Sequence, residues 1–189
     1  MLPNPAMHRT LREKPRKAGD FERCTMIEIT AGEFWARQEA LESDAASVLG
    51  HMLFGFSRLE VNLGLCLVWV DGGTRIDSLT KTVEALNLKS KLDELASHVT
   101  AKLPAGSEGH RAYEAWIERA HSVRQQRNYL VHGRWGVEAH KNKVVNVIGL
   151  PTSNTQQAIE YTIEELAQVN HELRELQREL ARLRKHWPL

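Results

Sequence analysis

Two cysteines in 189 residues, Cys24 and Cys66, are too few for a disulfide framework. They fit a reducing compartment in which both remain thiols. The nine histidines and two cysteines show none of the paired spacings that hold zinc, so neither a metal nor any other cofactor is expected. Long hydrophobic runs are missing too. The most apolar stretch, Val61 to Val70, is too short to span a bilayer, and Arg58, Glu60 and Asn62 interrupt its upstream flank. No apolar central region marks a secretory signal near the N-terminus. A soluble, cytoplasmic protein that avoids membranes is expected. Charge of one sign is scarce as well: 25 Lys and Arg against 24 Asp and Glu leave a formal net charge of +1. No global basic field draws nucleic acid, so any such surface must be local.

What is present is about one domain's worth of chain, long enough to bury a core. Residues 1–25 read as a basic tail: Arg9, Arg12, Lys14, Arg16 and Lys17 face only Glu13, with Pro3, Pro5 and Pro15 interspersed. A disordered, solvated arm and an electrostatic arm for RNA both fit. Met26 offers a second start besides Met1, and residues 26–189 form the expected helical domain. Met26 to Thr30 reads as a short extended piece. Thr30 with Glu33 three residues on has the form of a capping box. Apolar residues at threes and fours (Leu41, Ala45, Val48, Met52, Phe56, Leu59, Leu63) predict a helix from about Glu33 to Val70. Its length suggests a bend or division at Gly50 or Gly55, and Asp71-Gly72-Gly73 ends it. A second helix is predicted from Ile76 to about Leu103, with Asn87 as a local irregularity. A third runs from about Glu108 to His132 on the seam Tyr113, Trp116, Ala120, Val123 and Leu130. Valines around the polar tip His140-Lys141-Asn142-Lys143 predict a β-hairpin within residues 133–151. Asn154 or Thr155 is then the expected cap of a long last helix. Its seam of Leu166, Val169, Leu173, Leu176, Leu180, Leu183 and Trp187 fits packing on the bundle or a helix–helix dimer contact. The expected fold is all-α: a four- to five-helix up-and-down bundle with a small β-hairpin between the last two helices.

The most informative stretch is Gln126-Arg127-Asn128-Tyr129-Leu130-Val131-His132-Gly133. Arg127 continues the apolar seam of the third helix, and a charge on an inward stripe is costly unless it is paired or opens to a cleft. Its guanidinium is permanently charged and suits phosphate. His132 exchanges protons near neutral pH. Arg124, Asn128 and His132 lie four apart and share a face. Arg127 and His132 are five apart, about 140° around the axis, so a regular helix does not aim both at one atom. Either the helix end unwinds towards Gly133, or two copies of the motif meet across a dimer interface. A plainer reading also fits. Gly133 takes the left-handed cap, His132 favours the negative end of the macrodipole, and Arg127 binds carbonyls or a carboxylate. The spacing alone is weak, because Arg134 and His140 match the same loose pattern inside the hairpin.

Arg127-Asn128-Tyr129-Leu130-Val131-His132-Gly133 resembles the signature of HEPN domains: an arginine, a polar residue, three to five variable residues, then histidine. The layout is similar over about residues 31–187. The resemblance implies a compact helical bundle and a metal-independent endoribonuclease, often a toxin or phage-defence component, in which two protomers place their motifs in a shared cleft. A homodimer, RNA as substrate and an antitoxin or other partner protein are implied with it. Carried over by residue, Arg127 would hold the phosphate, Asn128 would orient it and His132 would be the acid/base. Many members are non-catalytic binding or scaffold modules. A toxin subgroup carries a modifiable tyrosine two residues after the histidine; Arg134 stands there in this chain, so that regulation is not implied.

Further residues join the candidate site. Arg124 and Arg134 are candidate RNA contacts, and Trp135 is either a base-stacking platform or a core-closing residue. Glu60, in the most apolar part of the first helix, is a candidate supporting acid or one half of an ion pair. Arg174, Arg178 and Arg182 form a stripe that Glu175 and Glu179 partly neutralise, and Lys141 and Lys143 read as solvent-facing charges.

Overall fold

A computed structural model describes residues 30–189. The basic tail, the Met26 start, the extended piece ahead of Thr30 and Cys24 lie outside the described residues. In chain order the elements are α1 (Ala31–Val68), α2 (Ile76–Glu84), α3 (Leu88–Lys102), α4 (Glu108–His132), β1 (Arg134–Glu138), β2 (Lys143–Ile148), β3 (Gln157–Tyr161) and α5 (Ile163–His186). The molecule is mostly helical with one small antiparallel sheet. No helix among the described residues is long and apolar enough to cross a membrane.

Helix α1 opens at the expected capping box. The Thr30 N–H donates to the Glu33 carboxylate at 2.9 Å, and the Glu33 N–H donates back to the Thr30 hydroxyl at 3.3 Å. The bonds from Thr30 hold the Glu33 carboxyl below its ordinary pKa. The helix then runs unbroken for 38 residues, so neither Gly50 nor Gly55 divides it. Gly55 serves packing instead: a Cβ there would meet Leu173 Cδ1 of α5 at 3.1 Å. Around this approach, Gln177 Nε2 donates to the Gly55 carbonyl at 3.0 Å and Asn170 Nδ2 to the Val48 carbonyl at 2.9 Å.

The second predicted helix is two. Asn87 is extended (φ −75°, ψ 168°) and its side chain accepts the Ser90 N–H at 3.0 Å, starting α3 afresh. A side chain that bonds its own backbone two or three residues on competes with helix continuation. Helix α4 is as predicted, with Tyr113 and Trp116 wholly buried and Trp116 Nε1 donating to the Leu176 carbonyl at 2.9 Å. The α5 seam of Leu166, Val169, Leu173, Leu176, Leu180 and Leu183 is buried inside the bundle, so it is not free for a dimer contact. Each such leucine contributes about 1.5–3 kcal/mol of apolar burial. Cys66 is a buried free thiol whose burial raises its pKa.

The hairpin gains a third strand, in the order β1-β2-β3. Trp135, Val137, Val144, Asn146, Ile159 and Tyr161 face the helices, following the two-residue period of a strand. Asn154 and Thr155 therefore do not cap α5. Thr162 does, in a second capping box with Glu165. At the tip, Asn142 takes a left-handed conformation (φ 55°), which asparagine tolerates better than most residues. Lys141 and Lys143 are not merely solvated: Glu160 of β3 accepts from both, at 2.8 and 3.0 Å, and Lys141 also pairs with Glu138 at 2.6 Å. The two lysines pull the Glu160 carboxyl down to about 2.

Two outcomes check this architecture. Thr162→Ala lowers unfolding free energy by about 1 kcal/mol in denaturant titration, whereas Asn154→Ala changes it by less than about 0.5 kcal/mol. Glu160 titrates near pH 2 by NMR. Because its folded pKa lies below its ordinary value of 4.5, its stabilising share is complete above that value and is lost as pH falls through about 2.

Candidate functional site

A groove of about 830 Å³ lies between α1, α2, α3 and α4. Its apolar walls include Leu53, Phe56, Val61, Leu65, Val83 and Leu88. Three of these, Leu53, Val61 and Leu65, are about half exposed, an unusual state for aliphatic side chains on one helix face. Its polar wall holds Arg124, Arg127 and Asn128 of α4, facing Glu60 of α1 and Lys91 of α3.

Helix α4 spends one stripe on the core and turns the adjoining stripe to the groove. Arg127 is half-buried, and its guanidinium carbon lies 6.0 Å from the ring centre of Phe56, within cation–π range. Its Nη1 donates to Asn128 Oδ1 at 3.3 Å. Among the described residues neither Arg124 nor Arg127 has a carboxylate within ion-pair distance, and Arg124 Nε is buried without a hydrogen-bond partner. The inward guanidinium is thus accommodated by opening to a cleft, not by a carboxylate.

Glu60 does not bond Arg127. It pairs with Lys91 at 2.9 Å, the lysine side chain nearly buried and the glutamate facing the groove. Lys91 sits between Leu88 and Leu95 on the inward side of α3, a charge on an apolar stripe. A charge on an inward stripe is the same sequence signal that marks Arg127. His121, one turn before Arg124, carries no sequence signal that sets it apart from the other histidines. It stands 3.7 Å from Asp93, which Lys89 of the groove also holds at 2.7 Å. Burial lowers the His121 pKa, and Arg124 and Lys89 lower it further against the pull of Asp93.

His132 is exposed and does not line the groove. Helix α4 stays regular through it, so the unwinding considered from sequence does not occur. Within one chain the imidazole and the Arg127 guanidinium leave the axis about 140° apart. Gly133 is not a left-handed cap (φ −84°, ψ 163°). Glycine is required for another reason: a Cβ there would fall 1.4 Å from Asn146 Oδ1. Asn146 of β2 is wholly buried, and its Nδ2 donates to the Tyr129 carbonyl at 2.8 Å. Trp135 closes the core beside it, its Nε1 donating to the Leu130 carbonyl at 3.0 Å and its ring 5.9 Å from that of Tyr161. Its indole N–H is committed to the helix end. Arg134 is exposed and reaches Gln156 at 3.3 Å, away from the groove-lining residues. Among the described residues no group of three or more histidine, cysteine or acidic side chains is placed to hold a metal ion.

Comparison with protein-family models, curated proteins and solved structures finds no match to this chain.

The Lys91–Glu60 pair predicts an asymmetry. Glu60→Ala strands a nearly buried ammonium and lowers stability by about 1–2 kcal/mol, a value discounted because the carboxylate is partly exposed. Lys91→Met leaves a carboxylate that reaches water and costs less. Chemical denaturation of both variants checks the order.

Proposed function

We propose that this chain is a HEPN-type ribonuclease domain that acts as a homodimer on RNA without a metal, serving as a toxin or phage-defence component alongside an antitoxin or other partner protein. Its helices form the compact bundle of that family. The observation that carries it is Arg127: a guanidinium on the inward stripe of α4, free of carboxylate partners among the described residues, open to a groove beside Asn128. A phosphodiester is the ligand that two such guanidiniums and an amide suit best.

The chemistry follows from RNA. A base removes the 2′-hydroxyl proton, the oxygen attacks the adjacent phosphorus, and an acid protonates the departing 5′-oxygen. Arg127 offsets charge on the phosphorane, Asn128 orients it, and His132 moves the proton. The products are a 2′,3′-cyclic phosphate and a 5′-hydroxyl, and DNA is not cut. Because one regular helix separates Arg127 from His132, the composite centre draws on two chains, with two histidines dividing the acid and base roles.

One observation favours a second reading. His132 lies outside the groove that holds Arg127, which suits a non-catalytic HEPN-like module binding a partner protein or nucleotide in that groove.

Incubation of the purified chain with total RNA in EDTA separates the two. The nuclease reading expects cleavage that persists in chelator, vanishes in His132→Ala and falls by about 10²-fold or more in Arg127→Ala. Absence of cleavage, with nucleotide or partner binding that depends on Arg127 and not on His132, establishes the binding module instead.

A further inference from the structure

We infer that Asn146, together with its cross-strand neighbour Trp135, is a positioning residue that fixes the end of α4 and hence the direction in which His132 projects; the catalytic consequence rests on the nuclease reading above. The two residues are direct partners in the β1–β2 register. Their side chains share the face turned to the helices and donate to consecutive carbonyls of the last turn of α4, Tyr129 by Asn146 and Leu130 by Trp135. Carbonyls in the last turn of a helix have no partner within the helix and normally turn to water or to a cap. The Tyr129 carbonyl already accepts the Gly133 N–H at 3.2 Å, so Asn146 adds a second donor there, while Trp135 caps the Leu130 carbonyl.

The fit is tight. Asn146 is wholly buried, and its Oδ1 has no hydrogen-bond partner because it lies against the Gly133 backbone. A buried amide that leaves one of its polar atoms unpaired is an expensive choice for a position between Val145 and Val147, where a third valine would extend the strand at no such cost. The donated bond to Tyr129 is what asparagine offers and valine does not. Gly133 completes the arrangement, since any side chain there would occupy the volume of the Asn146 amide. His132 stands between the clamped carbonyls and this contact, three residues after Tyr129 and one before Gly133. A one-residue slip of β1 against β2 would turn Trp135 away from α4 and break its pairing with Asn146.

Four variants of the full chain test this: Asn146→Asp, which removes the donor at constant shape; Asn146→Ala, which serves if the buried charge unfolds the first; Gly133→Ala; and the double Gly133→Ala, Asn146→Ala. The readouts are melting temperature, the His132 ring 1H–13C cross-peak, and kcat and KM on RNA. Asn146→Asp or Asn146→Ala is expected to move the His132 peak, leaving those of His51 and His171 in place, and to lower kcat about tenfold or more with KM nearly constant. Gly133→Ala loses melting temperature. The double variant regains melting temperature, because the new methyl fills the vacated space, without regaining the wild-type His132 peak or kcat. An unmoved His132 peak in both Asn146 variants, or full recovery of that peak and of kcat in the double variant, overturns the inference. If the wild-type chain cuts no RNA while the His132 peak moves as expected, the positioning role stands and the nuclease reading falls. If RNA is cut equally well without the Asn146 amide, the reverse holds.

Discussion

A guanidinium cannot be sealed into hydrocarbon without a partner, and the molecule is shaped around that constraint. Arg127 takes its place on the same helical period as Ala120, Val123 and Leu130, all of which are buried. The helices leave it open to the groove. Here α1, α2 and α3 part beside α4, leaving Leu53, Val61 and Leu65 half in water and Phe56 under the cation. Apolar exposure on α1 and charge on α4 are two aspects of one solution. The groove is the space that a charged residue on a core stripe prevents from filling.

Much of the scaffold was legible because helices announce themselves by period and by caps. Thr30 and Glu33, the seams of α4 and α5 and the turn at Asp71-Gly72-Gly73 all stand where local rules put them. What failed did so for specific physical reasons. Asn87 reads as a local irregularity in the sequence, yet its side chain starts a new helix. Gln157 to Tyr161 lacked the turn-bounded valine richness of β2, and its strand character comes from pairing with a neighbour, which single-strand propensity does not carry. Gly55 looked like a breaker, but its meaning lies in Leu173, over a hundred residues away in sequence.

For the site, sequence reasoning marked Arg127, Asn128 and Arg124, and these three do line one groove. It also marked Glu60, whose partner proved to be Lys91. Arg134 and Trp135 were grouped with the site by proximity along the chain; one reaches Gln156 and the other caps the helix end. The Gly133–Asn146 contact was invisible beforehand, because a glycine after a histidine reads as an ordinary helix stop. Only the tertiary approach of β2 distinguishes a glycine chosen for its dihedral freedom from one chosen for its lack of volume.

The start of α1 has a consequence of another kind. Among the described residues its first buried side chain is Leu41, so residues 31–40, about 15 Å of helix, bury no side chain fully. Trp35 is 64% exposed, and its ring stands edge-on to that of its neighbour Phe34. Among the described residues, local terms keep this segment wound: the Thr30–Glu33 reciprocal bonds at the tip and backbone propensity behind them. Among the described residues, unzipping from the tip down to Leu41 therefore exposes little new hydrocarbon. This makes it the least costly excursion the helix has, and one that leaves the groove and the sheet untouched.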